Sequence, residues 1–317
     1  AGGMPQMFGT ITVSDGSHDI EIRILDLAGN SASSVITIRV DSATPQCYLD
    51  LGGSGWANSL PEFNASISAN GGVSPISWDL IINNQKITEP DLQTFNLLSL
   101  ADGQNLISLT VTNSAGTKST CSSIIQLDRQ APSITNLVHL DRIKEEFLHT
   151  TFSAIDDISG LESLKLSVNG NMIWESTSFV DSGEIERNPV IPLPNSTFTE
   201  GTVLLEWSAQ DFAGNINQVD RYLVIDRSAP QIQVFQLGAS PDNNIWVSES
   251  NPKWTWSVFD SLDEDIQIDL EVDGVAIMES VNPNWFNKAI PNLTIPNGIH
   301  VLQITATDSV GNVAQSA

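Results

Sequence analysis

The chain has 317 residues, with 13 lysines and arginines against 38 aspartates and glutamates, so its formal net charge is −25. A sequence pI of about 4.1 argues against nucleic acid as a partner, because phosphate binding needs basic surface. No run of residues approaches the roughly 18 unbroken apolar residues of a membrane helix, so we expect no membrane insertion in this segment. Short Val, Ile and Leu runs punctuated by Ser, Thr, Asn, Asp and Gly predict an all-β fold.

Four segments of the chain share one template. In each, a leading Gly is followed ten residues later by Asp or Asn and thirteen residues later by a second Gly. The segments are 16–30, 103–117, 201–215 and 298–312. Four matches in one register, without a gap, indicate homologous repeats rather than chance similarity.

Proline-containing linkers follow the first three segments and mark the repeat boundaries. The linkers share the pattern D-x-x-x-P and run over 41–45, 128–132 and 226–230. Proline fixes φ and biases its predecessor toward extended backbone, so these segments are stiff joints. We number the resulting repeats 1 to 4. They are 1–41, the C-terminal part of a truncated domain, then 42–128, 129–226, and 227–317, whose last strand is incomplete.

Each repeat is predicted to close with a β-hairpin. The residues four, six and eight positions after each leading Gly are apolar, which places one strand face in a core and the other in water. The D-x-x-G-N sequence that follows is typical of a tight turn into the next strand. Earlier in repeats 3 and 4, Asn169-Gly170 and Asp273-Gly274 predict two-residue hairpins. A period of about 90 residues fits one β-sandwich per repeat.

These patterns resemble a known family. The D-x-A-G-N hairpin, the D-R-x-A-P linker and the D-x-S-G-L-like loop at 156–161 are similar to bacterial and archaeal immunoglobulin-like (Big-type) tandem repeats of large cell-surface or adhesin-like proteins. The resemblance covers nearly the whole chain and is loosest in repeat 2. It implies tandem immunoglobulin-like sandwiches in an extended array and an extracellular, adhesive or stalk-like role. It implies no particular ligand, because this fold hosts many functions.

The two cysteines are both predicted to face the core of repeat 2. Cys47 lies two residues past Pro45, where repeats 3 and 4 have Ile134 and Ile232, and Cys121 shares the parity of the apolar residues on its strand. The first and last strands of this sandwich are neighbours, so a Cys47–Cys121 disulfide is one interpretation, and it would place the protein outside the cytoplasm. The alternative is two buried free thiols.

Acidic residues recur at the linkers and are the candidate metal ligands. A linker enters its repeat at the pole that carries the loop between the second and third strands (the B–C loop) and the hairpin turn (the F–G turn). Three to five carboxylates are thus expected to converge there, which suits Ca²⁺ with its six to eight oxygen ligands. The candidate ligands are Asp128, Asp156, Asp157 and Asp211 for repeat 3, and Asp226, Asp260, Asp263, Asp265 and Asp308 for repeat 4.

Two observations limit this calcium hypothesis. In repeat 2 the equivalent positions are Asn70 and Asn113, so only Asp41 is charged and we predict no tight site there. Turn aspartates also cap backbone amides without any metal, which is the alternative interpretation of the whole set. No other cofactor is indicated.

The sequence favours a non-enzymatic extracellular stalk or adhesive segment whose partners are its neighbouring domains and a cell-surface protein or glycan. No G-x-S-x-G, H-E-x-x-H or paired Cys and His motif is present. One alternative is a carbohydrate-binding or spacer region of a secreted hydrolase, for which exposed aromatics such as Trp246, Trp254 and Trp285 would argue. Another is a subunit of a surface layer or filament. Sequons at Asn64, Asn195 and Asn292 permit glycosylation without indicating it.

Overall fold

The computed structural model of the chain describes residues 9–53, 55–61, 64–70, 72–87, 100–177, 179, 183–235, 247–279 and 281–316. These residues form β-strands, turns and loops without a helix, which confirms the all-β prediction. Over the same ranges, no helix with the length and apolar character to cross a membrane is found. The chain divides into two compact units. The first comprises Ala1–Ala131, Asp157–Gly160 and Asp211–Asn215, and the second comprises Pro132–Asp156, Leu161–Gln210 and Ile216–Ala317.

In the first unit, repeat 1 forms a hairpin and repeat 2 forms two sheets around a core. The hairpin pairs β1 (Gly16–Leu25) with β2 (Ser31–Val40). The strands of repeat 2 are β3 (Gln46–Asp50), β4 (Trp56–Ala57), β5 (Asn64–Ser68), β6 (Ile76–Ile82), β7 (Gln85–Ile87), β8 (Gly103–Asn113) and β9 (Lys118–Leu127). One sheet pairs β3 with β5, and the other has the order β4-β9-β8-β6-β7.

In the second unit, repeats 3 and 4 each form the same kind of sandwich. The strands of repeat 3 are β10 (Ser133–Val138), β11 (Arg142–Ile143), β12 (Phe147–His149), β13 (Thr151–Ile155), β14 (Leu161–Val168), β15 (Asn171–Thr177), β16 (Ile185–Arg187), β17 (Val190–Pro192), β18 (Gly201–Asp211) and β19 (Ile216–Ile225). Those of repeat 4 are β20 (Gln231–Phe235), β21 (Lys253–Phe259), β22 (Gln267–Val272), β23 (Val275–Met278), β24 (Asn284–Ala289), β25 (Leu302–Thr307) and β26 (Val313–Ser316). The main sheets have the orders β10-β13-β16, β11-β19-β18-β14-β15, β20-β21-β24 and β23-β22-β25-β26, and β12 pairs with β17.

The alternating apolar positions of the predicted hairpins form the sandwich cores. They are fully or almost fully buried in β8 (Ile107, Leu109, Val111), β18 (Leu205, Trp207, Ala209) and β25 (Ile304, Ala306). In repeat 3 the Trp207 ring packs on Phe152 with 5.1 Å between ring centroids. The same register in β1 leaves Ile22 and Ile24 exposed, since the described residues include no second sheet over β1 and β2.

The first strand of repeats 2 and 3 is split between the two sheets, which the sequence did not predict. Strand β3 pairs antiparallel with β5, and β4 then pairs parallel with β9 in the other sheet. In repeat 3, β10 and β11 do the same against β13 and β19. A two-residue strand such as β4 or β11 has no readable periodicity. In repeat 2 the crossover passes through Gly52 and Gly53, whose φ values of 78° and 146° favour glycine.

The predicted disulfide between Cys47 and Cys121 is confirmed. It joins β3 to β9, with 5.9 Å between the two Cα atoms, and so links the two sheets of repeat 2. The free-thiol interpretation is therefore wrong for this pair. A covalent link at this edge ties the strand that enters the repeat to the strand that leaves it.

The two-residue turns predicted at Asn169-Gly170 and Asp273-Gly274 are confirmed, and they close β14–β15 and β22–β23. The His300 side chain stabilises the second turn by two hydrogen bonds. Its Nδ1 lies 2.7 Å from Oδ2 of Asp273 and its Nε2 lies 3.0 Å from the Pro296 carbonyl oxygen. Because both ring nitrogens face acceptors, the site favours the doubly protonated imidazolium. The hydrogen bond to Asp273 raises the pKa of His300 and lowers the pKa of Asp273.

We expect protection of the β22–β23 turn against amide exchange to depend on pH. Since folding raises the pKa of His300, its contribution is complete below about 6.5, the ordinary pKa of histidine, and is lost as pH rises through the folded value. Asp273 sets the low-pH end of the range in which the pair stabilises the turn, because the contribution of Asp273 is lost as pH falls through its lowered pKa. Exchange rates corrected for intrinsic chemistry should therefore increase above the His300 transition, and His300→Gln should abolish this pH dependence. Equal protection on both sides of that transition would contradict the charge pair.

Candidate metal centres

The linker aspartates are held at the end of the last strand of the preceding repeat. Asp128 follows β9 and Asp226 follows β19. The Asp128 amide donates to the Ala57 carbonyl at 2.9 Å, and the Asp226 amide donates to the Ile143 carbonyl at 2.8 Å. Both aspartates are fully buried. A buried carboxylate needs hydrogen bonds or a cation, because removing its charge from water is unfavourable.

The hairpin turns hold a second set of aspartates. In repeat 4, Asp308 accepts the Asn312 amide at 2.8 Å and the Asn312 side-chain Nδ2 at 2.7 Å. The same Nδ2 donates to the Asp226 carbonyl at 3.1 Å, which ties the turn to the linker. The corresponding turns in repeats 1 and 3 share these bonds between aspartate and asparagine. The amide-capping role that the sequence left open is therefore present. In Asp308 it occupies Oδ1 with two amides and Oδ2 with one side-chain donor. Since a carboxylate oxygen accepts up to two hydrogen bonds, Oδ2 can take a further ligand.

Two groups of three carboxylates combine linker, loop and turn acids. They are Asp128, Asp156 and Asp211, and Asp226, Asp260 and Asp308. Within each group, one carboxylate oxygen from every member lies within 4.8 Å of the others. Calcium binds oxygen at about 2.3–2.6 Å, so two ligands of one ion lie at most about 5 Å apart. The spacing in both groups is thus compatible with a shared cation.

The second group contains a buried oxygen without a hydrogen-bond partner. Asp226 Oδ1 is inaccessible to solvent and unpaired, while Asp226 Oδ2 accepts a hydrogen bond from Arg142 Nη1 at 3.0 Å. Burial of Asp226, together with the negative charges of Asp260 and Asp308, raises the pKa of the Asp226 carboxyl. A cation among the three carboxylates would satisfy the unpaired oxygen and offset their repulsion.

Three of the predicted ligands lie outside these groups. Asp157 and Asp265 are exposed. Asp263 is buried, but its oxygens are already engaged: Oδ2 accepts the amide and the hydroxyl of Ser309, and Oδ1 accepts the Asp265 amide at 2.9 Å. Asp263 thus fastens the B–C loop of repeat 4 to its F–G turn.

Repeat 2 stabilises its linker acid by hydrogen bonds from neutral groups. Asp41 Oδ2 accepts the Ser74 amide at 3.0 Å and also the Ser74 hydroxyl. Asn113, at the position of the turn aspartates, accepts the Thr117 amide at 2.8 Å and donates from Nδ2 to the Ala43 carbonyl at 3.0 Å. An amide side chain can therefore hold this turn. The charge of Asp308 is not required for the turn itself.

A second set of linker contacts was not predicted from the sequence. The residue after each linker aspartate binds the acid that immediately precedes the leading glycine of the same repeat. The pairs are Ser42 with Asp15, Arg129 with Asp102, and Arg227 with Glu200. The signal was an acid-glycine dipeptide that recurs at 15–16, 102–103 and 200–201. The linker is thereby fixed to the repeat before it.

Arg227 makes the most extensive of these contacts, and its replacement by lysine is expected to destabilise repeat 3. Its Nη1 and Nη2 donate to the Phe198 and Leu193 carbonyls at 2.8 and 2.7 Å. Lysine cannot reproduce this fork, so Arg227→Lys should lower the free energy of unfolding by about 1–2 kcal/mol. Urea unfolding, monitored by the protection of the β18 amides against hydrogen exchange, measures this loss. Arg221→Lys, on the exposed face of β19, is the matched control, and an equal effect of the two changes would contradict the role assigned to Arg227.

Two of the three tryptophans considered for carbohydrate binding are packed against the core of repeat 4, and the third lies outside the described residues. Trp254 and Trp285 pack against the core of repeat 4. Trp285 stacks on the fully buried Trp256 with 5.1 Å between ring centroids and an interplanar angle of 5°. Trp246 lies outside the described residues. Trp254 and Trp285 therefore act mainly as core residues.

Comparisons with solved structures find loose similarity to several tandem-repeat proteins. No protein-family model matches the sequence, and no curated protein matches it. A tetra-tandem repeat from the extending region of a large adhesion protein is 15% identical, covers 96% of this chain and 82% of its own, and has a TM-score of 0.38. A Ca²⁺-stabilised adhesin that helps an Antarctic bacterium bind ice is 17% identical, with coverages of 95% and 80% and a TM-score of 0.33. Fibronectin(III)-like modules of Clostridium thermocellum CbhA are 15% identical, with coverages of 57% and 94% and a TM-score of 0.32.

Proposed function

We propose that the chain is a non-enzymatic, extracellular segment of a large surface protein, in which immunoglobulin-like repeats act as a stalk with calcium-stiffened linkers. One observation carries the proposal. At the linker into repeat 4, the fully buried Asp226 has a carboxylate oxygen without a hydrogen-bond partner, and one oxygen each of Asp226, Asp260 and Asp308 lies within 4.8 Å of the others. Three carboxylates gathered around a linker would repel one another in the absence of a cation.

Calcium is the cation that this donor set favours. The ligands are carboxylate oxygens from a linker, a loop and a turn, and carbonyl oxygens and water can complete six to eight contacts with tolerant geometry. Magnesium demands a near-ideal octahedron and gives up its water reluctantly, which a site spread over three separate segments does not suit. Zinc usually takes thiolate or imidazole ligands, and neither is among the three residues.

The extracellular assignment rests on the disulfide, and the stalk assignment rests on the linkers. Disulfides persist in oxidising compartments, and Cys47 and Cys121 form one. Each linker is bound to the repeat before it through an acid ahead of the leading glycine, and Asp226 is bound to repeat 4 through Asn312. Linkers held in this way limit hinge motion, which is what a spacer requires.

A calcium titration of the full chain tests the proposal. We expect calcium, at about 100 times its dissociation constant, to stabilise the folded protein by about 2.7 kcal/mol per site and raise the melting temperature by about 5–10 °C. Magnesium at the same concentration should have a much smaller effect. Calorimetric melting with EGTA and with millimolar calcium makes the comparison. A melting profile that calcium does not change would overturn the proposed function.

A further inference from the structure

Two basic side chains lie beside the linker between repeats 3 and 4, at positions where the preceding linker has neutral neighbours. Strands β4 and β11 occupy equivalent places, because Trp56 pairs with Gln126 and Arg142 pairs with Val224, each partner lying two residues before a linker aspartate. The segments 56–58 and 142–144 therefore correspond. The first reads Trp-Ala-Asn and the second Arg-Ile-Lys. Two of only 13 lysines and arginines in the chain thus lie beside one linker.

Both side chains bind loops of repeat 4. Arg142 Nη1 donates to Asp226 Oδ2 at 3.0 Å and to the Leu262 carbonyl at 2.6 Å. Lys144 Nζ donates to the Gly311 carbonyl at 2.8 Å. Leu262 belongs to the B–C loop that contributes Asp260, and Gly311 to the F–G turn that contributes Asp308.

We propose that Arg142 and Lys144 form a built-in clasp that joins repeats 3 and 4 without metal and lowers the affinity of the Asp226 group for calcium. The first half stands on the hydrogen bonds alone, and the second half rests on the proposed function. Arg142 engages Asp226 Oδ2 and reduces the charge of the ligand set from three negative charges to two. A fixed positive charge beside a divalent cation repels it, and the repulsion is strong where water is excluded. Trp56 supplies no such charge at the equivalent position.

The clasp can be tested in the complete absence of calcium by limited trypsin digestion of the full chain in EGTA. Each of the two linkers contains one arginine, Arg129 or Arg227, so each offers a cleavage site. Cleavage of a briefly opened linker follows the population of the open state. The double variant Arg142→Gln with Lys144→Gln should accelerate cleavage after Arg227 about tenfold, by removing three hydrogen bonds. Cleavage after Arg129 is the internal control and should not change.

Two further measurements keep this result interpretable. Near-ultraviolet circular dichroism establishes that the variant remains folded, and single Lys144→Gln should produce a smaller acceleration than the double change. An unchanged rate of cleavage after Arg227 in the folded double variant would overturn the clasp. An equal acceleration after Arg129 would also overturn it, because the effect would then not be specific to this linker.

Calorimetric titration with calcium chloride tests the second part of the proposal, that the clasp lowers the affinity for calcium. Arg142→Gln should raise the affinity of the Asp226 group for calcium about tenfold, since the variant removes a positive charge beside the three carboxylates. Arg142→Trp, which takes the residue of the equivalent position in repeat 2, should act in the same direction. Unchanged or weaker binding would overturn this half. If neither the wild type nor the variant takes up calcium, the proposed function fails with it, while the trypsin result judges the clasp independently.

Discussion

Removing the Cys47–Cys121 disulfide is expected to lower the free energy of unfolding of repeat 2 by about 4 kcal/mol, because the bridge closes a loop between cysteines 74 residues apart. An unfolded chain without the bridge gains the entropy of that loop, whereas the folded sheets stay as they are. The core that remains in repeat 2 is a modest cluster around Leu80, Ile107 and Leu127. Since small domains are stable by only a few kcal/mol, reduction should leave repeat 2 close to unfolding at 37 °C.

Hydrogen exchange of β8 and β9 with and without a reducing agent measures this loss. The double change Cys47→Val and Cys121→Val is the companion variant, because valine keeps apolar volume in place of the sulfurs. It should match the reduced wild type and be insensitive to reductant. Protection in repeats 3 and 4 serves as the control, since the chain has no other cysteines. If reduced and oxidised repeat 2 show the same protection, the bridge does not stabilise the fold.

The closing hairpins could be predicted from the sequence because their signals are local and repeated. Alternating apolar residues after each leading glycine specify which face of β8, β18 and β25 is buried, whatever the rest of the domain does. The turn that follows is specified by an aspartate that caps amides and a glycine with positive φ. Gly311, with a φ of 82°, and Asp308 illustrate this pairing.

The candidate site could be predicted only in part, because its assembly depends on contacts between distant segments. The sequence identified Asp226, Asp260 and Asp308 from their recurrence at one pole of each repeat. It did not distinguish them from Asp263, which binds Ser309 instead. Arg142 could not have been identified, since it sits on a two-residue strand and reaches Leu262, which lies 120 residues further along the chain.

Asp308→Asn is expected to abolish the calcium stabilisation of the second unit, a loss of about 2.7 kcal/mol at 100 times the dissociation constant. Repeat 2 naturally has asparagine at this position, where Asn113 accepts the Thr117 amide and donates to the Ala43 carbonyl. The turn should therefore survive the substitution. In EGTA the melting temperature of the variant should be close to that of the wild type. The variant loses a capping hydrogen bond, but the neutral side chain at position 308 no longer repels the buried Asp226 carboxylate, and the two effects offset each other.

Two matched variants separate the ligand role of Asp308 from its turn role. Asp308→Asn with Asn312→Thr transfers the complete pair found in repeat 2 and should lose the response to calcium as the single change does. Asp26→Asn alters the same turn in repeat 1, where Asp26 is exposed and binds Asn30 in the same way. That variant should keep the full response to calcium. A destabilisation by Asp308→Asn that is equal with calcium and with EGTA would mean that Asp308 only caps the turn, and the metal-ligand role would have to be abandoned. A loss confined to the calcium-bound protein is the result that a metal ligand at the linker requires.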